Sequence, residues 1–217
     1  MVRSRLKPSG RIGDNMKKIL GVLTIIVLLV SVCFYFFPKQ PKNIFDEIYQ
    51  ETEKTYRSNN ILRHIDGFKI RPDWPSDDPN ISYTPFGKYE TLPKGYSDIT
   101  IDLNFGKGIK GVLILFERKT NSNITLWYSA HYNMQKKVLK KELAIIEEPR
   151  KPGQYLDDEE KVREYLRKNN ISKEELEKDY DEIINQKVLK DWCSIYDSKY
   201  SSGNYGEVKV ETQWENW

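Results

Sequence analysis

A run of four acidic side chains, Asp157 to Glu160, is the densest group of possible general acids and bases in this sequence. Two positioned carboxyl groups could catalyse a hydrolysis by giving and taking protons. The same run is typical of a helix amino terminus, where negative charge meets the positive end of the helix dipole. We favour the helix interpretation, and a hydrolase that uses Asp157 and Glu160 remains an alternative.

Other groups with catalytic potential are sparse. The sequence has two histidines, His64 and His131, and two cysteines, Cys33 and Cys193, and their spacing does not match that of a zinc site. The run Gly106-Lys107-Gly108 lies between two predicted strands, where it is typical of a hairpin turn rather than of a phosphate-binding loop. A nucleophile motif of the G-x-S-x-G kind is absent. The sequence therefore predicts a protein without catalytic residues, metal or cofactor.

A polar strand face is the more promising feature. In the segment 124–132 apolar and polar residues alternate, so polar side chains point away from the core if the apolar ones point into it. Trp127 stands among these polar residues, and an exposed Trp ringed by polar groups is a typical anchor for a protein partner. Alternatively, Trp127 is covered by a helix or loop and His131 is an ordinary surface residue. With a neighbouring strand, the candidate binding residues are Thr125, Trp127, Ser129, His131, Asp102 and Asn104.

Strands must position these residues, and four segments have strand patterns with short turns between them. They cover residues 99–105, 111–118, 124–132 and 138–147. Short turns join antiparallel neighbours, so the four segments predict a meander. Further short strands are predicted over 68–70, 81–83 and 208–214.

Three helices are predicted around this sheet. The first begins near Phe45 with Asn43 as its cap, and the second begins after Asp157 or Asp158. The third opens with a capping box formed by Ser172 and Glu175. The predicted fold class is α+β: an N-terminal transmembrane helix, then an antiparallel β-sheet meander with helices packed on one face.

The transmembrane prediction comes from residues 19–37, ILGVLTIIVLLVSVCFYFF, which carry no charge. As a helix this stretch would measure about 28 Å, close to the ~30 Å hydrocarbon core of a bilayer. A cleaved signal or a lipoprotein site at Cys33 fits less well, because bulky residues surround that cysteine. The predicted order is a basic cytoplasmic leader (1–18), a signal-anchor (19–37), a linker (38–44) and an extracellular domain (45–217) on a single-pass cell-membrane protein.

Charge argues against a nucleic-acid partner. The chain of 217 residues has a net charge of +3, but its first 38 residues hold six basic residues and one acidic residue. Residues 39–217 therefore have a net charge of −2, which offers no basic surface for nucleic acid.

The carboxy-terminal region has a distinctive pattern. Its parts are KVLKDW (187–192), YDSKYS (196–201), Asn204-Tyr205-Gly206 and VKVETQW (208–214). Together with the basic leader, the apolar stretch and the size of the domain, this pattern resembles the TipC family of streptococcal immunity proteins.

The resemblance implies a stoichiometric inhibitor with no catalytic residues. Its implied partner is a TelC-like LXG toxin, which the type VII secretion system exports and which attacks the cell-wall precursor lipid II outside the cell. The alternative is an extracytoplasmic sensor or scaffold module of a Gram-positive cell envelope, which would use the same layout.

Overall fold

The computed structural model describes residues 10–36, 40–54, 64–70, 86–104, 110–120, 123–147, 155–196 and 198–214. The chain divides into two compact units, Met1–Gln40 and Pro41–Trp217. The first unit contains helix α1 (Gly10–Phe36), whose described side chains, from Met16 to Ser31, are exposed.

The predicted transmembrane helix over 19–37 is wrong. In the described part of the chain, no helix combines the length and the apolar character that a membrane crossing requires. The predicted single-pass location, with a cytoplasmic amino terminus and an extracellular domain, depended on this helix and is also wrong.

The second unit is built on a seven-stranded sheet whose strands follow one another in chain order. Its strands are β1 (Phe68–Ile70), β2 (Phe86–Tyr89), β3 (Tyr96–Asn104), β4 (Gly111–Lys119), β5 (Ile124–Asn133), β6 (Val138–Glu147) and β7 (Lys209–Thr212). The four central strands were predicted, β2 was missed, and the predicted strand over 81–83 lies outside the described residues.

The sheet is mixed, so the predicted antiparallel sheet is also wrong. Strands β1 to β6 pair antiparallel, but β7 pairs parallel to β6, with Val138 opposite Lys209 and Lys141 opposite Thr212. The physical reason is the connection between them. The chain leaves β6, passes through the helices and returns in the same direction, and such a crossover produces a parallel neighbour.

The helices begin at the predicted caps. They are α2 (Ile44–Lys54), α3 (Glu159–Lys168), α4 (Lys173–Tyr180), a π-helical segment (Asp181–Leu189) and α5 (Lys190–Tyr196). The Asn43 side chain accepts from the Asp46 N–H at 2.9 Å. Asp158 does the same for Lys161 at 3.1 Å, and Ser172 for Glu175 at 3.2 Å. Each cap satisfies a backbone donor that has no partner inside its helix.

Aromatic side chains form the centre of the core, between the sheet and the helices. Phe116 and Tyr128 stack with ring centroids 4.4 Å apart, and Tyr180 meets both rings edge-on. Burying an aromatic side chain of this size contributes about 1.5–3 kcal/mol. The last helices add six buried side chains to this core: Leu176, Tyr180, Ile183, Ile184, Val188 and Leu189.

A buried carboxylate links the helices to the same face of the sheet. Asp179 accepts hydrogen bonds from the hydroxyls of Tyr128 and Tyr96, the latter at 3.1 Å. The Arg118 Nε atom lies 2.8 Å from Asp179 Oδ2, and Arg118 also pairs with Glu175 at 2.6 Å. Burial raises the pKa of Asp179, and the Tyr128 hydroxyl and Arg118 oppose that change.

The loop of residues 198–208, the closing loop, holds the start of α2. Glu47 accepts hydrogen bonds from Ser198 Oγ at 2.8 Å and from the Lys199 N–H at 2.6 Å. Gly206 has φ +67°, and a Cβ atom there would lie 2.5 Å from the Lys42 carbonyl oxygen. Gly206, which belongs to the carboxy-terminal pattern, therefore has a structural role at this contact.

Candidate functional site

The helices pack on one face of the sheet, and the opposite face of β3 to β6, the open face, holds the candidate residues. Antiparallel pairing places Asp102, Leu113, His131 and Lys140 in one row across these four strands. The next row runs from Thr100 through Leu115 and Ser129 to Glu142. Side chains two residues apart on a strand share a face, so Trp127, Ser129 and His131 lie on the open face.

Four of the six predicted residues, Asp102, Trp127, Ser129 and His131, are partly exposed on this face. Thr125 belongs to the same face but is only 2% exposed, so it is not available at the surface. Asn104 pairs with Gly111 through the β3–β4 ladder, and its side chain lies outside the described residues.

A groove of about 690 Å3 lies on the open face, next to Trp127. Leu113, Leu115 and Ala144 provide apolar surface, and Ser129 provides a hydroxyl. Tyr155 borders the groove and meets Trp127 edge-on, with ring centroids 5.8 Å apart. Tyr155 is 51% exposed and Trp127 is partly exposed, so this aromatic pair has contact area available at the surface.

Sequence reasoning missed Leu113, Leu115 and Tyr155 as parts of the site. Strand β4 was predicted as a central apolar strand, and a strand that is apolar on both faces gives no sign of which residues form the core. The two-residue period of a strand does place Val112, Ile114 and Phe116, which are buried, on one face and Leu113 and Leu115, which are not fully buried, on the other, but it does not say which face is the core. No periodicity could have predicted Tyr155, because it lies outside the strands.

The open face has a desolvated carboxylate at one side. Burial raises the pKa of Asp102, and the nearby His131 opposes that change. Within the described residues, Asp102 Oδ1 is buried without a hydrogen-bond partner. A carboxylate in this setting favours a partner that brings a hydrogen-bond donor or a positive charge.

Some residues of the acidic run at 157–160 have structural roles, and some line the groove. Asp158 caps α3, and Glu159 pairs with Arg163 one turn later at 3.3 Å. Asp157 and Glu159 also lie along the groove. In the part of the chain that the structure describes, no group of three or more His, Cys, Asp or Glu side chains is arranged to hold a metal ion.

Comparison with known proteins gives two matches and one negative result. The family model described as "TipC immunity protein-like" matches residues 16–213. The solved structure of TipC2 from Streptococcus intermedius B196 is 43% identical in sequence and superposes with a TM-score of 0.72. That match covers 82% of this chain and 99% of TipC2. No curated protein matches the chain.

The family match covers most of the chain, and the TipC2 match has high identity over nearly all of its own length. Both confirm the resemblance that the carboxy-terminal pattern indicated. Proteins of this family are inhibitors of toxins and are not enzymes, so the hydrolase alternative is not supported. The chain belongs to the TipC immunity protein-like family.

Proposed function

We propose that this protein neutralises a TelC-like LXG toxin, one that is exported by the type VII secretion system and degrades lipid II. The family assignment implies a cognate toxin as the partner. We propose which toxin this partner is and what it attacks, and both proposals follow from the resemblance to TipC proteins.

We further propose that the toxin binds to the open face around Trp127. The observation that carries this proposal is the groove, where the partly exposed Trp127 and Tyr155 stand beside the apolar side chains of Leu113 and Leu115. Interface hot spots are enriched in Trp and Tyr that fill central desolvated contacts.

The mechanism is inhibition by tight binding. The open face belongs to strands whose other face is fixed by the core, so the free protein already has its binding geometry. A preorganised surface loses little conformational entropy on association, which favours affinity. Charged side chains around the groove would reject toxins whose surfaces do not match, since misplaced charges are costly at an interface.

The test is an inhibition assay with the lipid II-degrading domain of the toxin encoded beside the gene. Added in equal amount, the full chain should form a 1:1 complex with the toxin and stop lipid II degradation. Trp127→Ala should weaken binding about 30-fold, the effect of a hot-spot loss of about 2 kcal/mol. Trp127→Phe should restore part of the affinity.

Lys178→Ala is the control, because Lys178 is exposed on α4, on the helix side of the sheet. It should bind and inhibit as the wild type does. If the wild type neither binds nor inhibits the toxin, the proposed function is wrong. If Lys178→Ala loses affinity and Trp127→Ala does not, the function stands and the proposed face is wrong.

A further inference from the structure

The groove on the open face combines an apolar floor with an acidic border. Leu113, Leu115 and Trp127 line it together with four carboxylates: Glu142, Asp157, Glu159 and Glu211. Two lysines, Lys140 and Lys141, are the cationic members of the lining.

One of the two lysines of the lining, Lys141, is already engaged on the helix side, while Lys140 is exposed. Lys141 Nζ lies 2.9 Å from Glu177 and 5.1 Å from the centre of the Tyr180 ring, and both of these residues belong to α4. Glu211 pairs with Lys209 at 2.7 Å, which lowers the pKa of Glu211, and Lys140 adds to this effect. Glu159 pairs with Arg163.

Glu142 and Asp157 are left as the carboxylates that a partner could use. In the part of the chain that the structure describes, neither forms an ion pair, and both side chains are exposed. Glu142 lies opposite Ser129 on the neighbouring strand, which places it diagonally next to Trp127. Asp157 follows Tyr155 by two residues and borders the same groove.

The aromatic pair adds a second site for positive charge. A cation near the face of Trp or Tyr is attracted by the ring quadrupole, by about 0.5–1 kcal/mol at exposed sites and more when desolvated. Arginine uses such a site better than lysine, because its planar guanidinium group can stack on a ring and still donate in-plane hydrogen bonds to carboxylates.

We propose that the groove binds an arginine side chain of the toxin, with its guanidinium group against Trp127 and Tyr155 and its N–H groups directed to Glu142 and Asp157. The methylene stem of that arginine lies over Leu113 and Leu115, where long cationic side chains can bury their apolar portion. This inference rests on the proposed function, since it specifies the chemistry of the toxin segment that enters the same face.

The first experiment needs no toxin. The indole N–H signal of Trp127, assigned by comparison with Trp127→Phe, is followed by NMR in the full chain during titration with N-acetyl-arginine amide. N-acetyl-citrulline amide, which has nearly the same shape but no charge, is the matched ligand control. The arginine compound should shift the signal in a saturable manner and the citrulline compound should not. Equal responses to both compounds would overturn the inference.

The second experiment uses the toxin. The double variant Glu142→Gln/Asp157→Asn should bind about tenfold more weakly than the wild type and lose part of the salt dependence of binding. Glu164→Gln removes an exposed carboxylate that pairs with Lys168 on α3, outside the groove lining, and should bind as the wild type does.

The outcomes separate the two proposals. If the wild type does not bind the toxin while the arginine compound still shifts Trp127, the proposed function fails and the cation site remains. If the toxin binds the wild type and the double variant equally well, the arginine inference fails and the proposed function remains.

Discussion

Adjacent residues of one strand lie on opposite faces of the central sheet, and the two faces surround them differently. On β5, Tyr128 is fully buried, stacks on Phe116 and donates to Asp179. Trp127, one residue earlier, is partly exposed and meets the solvent-exposed Tyr155. A strand rotates successive side chains to opposite faces, so one residue step separates a core position from a surface position.

Under the proposed function, one sheet serves two purposes. The helix side contains the stacked rings and the Asp179 network, so changes there should alter stability. The open face contains the groove and partly exposed side chains, so under the proposed function changes there should alter binding while the fold persists. Three further predictions test this division, beginning with the largest effect.

Asp179→Ala should destabilise the domain by roughly 3–5 kcal/mol, because it removes the buried partner of Arg118 and the acceptor of the Tyr128 hydroxyl. Urea unfolding of the full chain measures this loss. Asp181→Ala, an exposed position two residues later, should change stability by about 0.5 kcal/mol or less. A small effect of Asp179→Ala would mean that this network does not fix the helices to the sheet.

Gly206→Ala should cost about 1–3 kcal/mol, since alanine disfavours a φ of +67° and its Cβ atom would approach the Lys42 carbonyl oxygen. Gly203 belongs to the same closing loop, and a Cβ atom there would have no atom within 4 Å. Gly203→Ala should therefore be close to neutral. Thermal unfolding of the two variants compares them directly, and equal losses would show that the contact with Lys42 does not hold the loop.

Asp102→Asn should change the pH dependence of stability by a smaller amount. Burial raises the pKa of Asp102 above its usual 3.8, so the native state binds this proton more tightly than the unfolded state does. The resulting stabilisation is present below about pH 4 and is lost as the pH rises through the native pKa. Relative to the wild type, the variant should therefore become more stable as the pH rises from about 3.5 to 7.

Urea unfolding across this pH range measures the difference between Asp102→Asn and the wild type. Asp102→Ala also lacks the carboxyl group, and it should show the same pH dependence, although its absolute stability will differ. A difference from the wild type that stays constant with pH would show that the open face does not desolvate this carboxylate.

Local sequence patterns predicted the helix caps and the central strands well. The caps Asn43, Asp158 and Ser172 were predicted because capping depends on a few adjacent residues. The strand over 138–147 has the predicted bounds, and Trp127, Ser129 and His131 share the predicted face, because side-chain alternation is a local property.

The wrong or missing predictions concern properties that residues adjacent in the sequence do not determine. Strand β2 carries no strong alternation, and it forms because it pairs with β1 and β3. Thr125 follows the polar pattern and is nevertheless buried, since burial depends on what packs over a residue. The transmembrane prediction relied on the charge and length of one stretch, and no helix in the described part of the chain is long and apolar enough to support it.

By itself, the amino-acid sequence determined the periodicity of the elements, the caps that begin the helices and the carboxy-terminal pattern of the TipC immunity protein-like family. These features arise from residues near one another in the chain. Only the tertiary structure decided that β7 lies parallel to β6 and that Tyr155 comes beside Trp127. It also decided that Glu142 and Asp157 border one groove. The physical reason is that strand pairing and groove formation join residues distant in sequence, and the free energy of those contacts depends on how the whole chain packs.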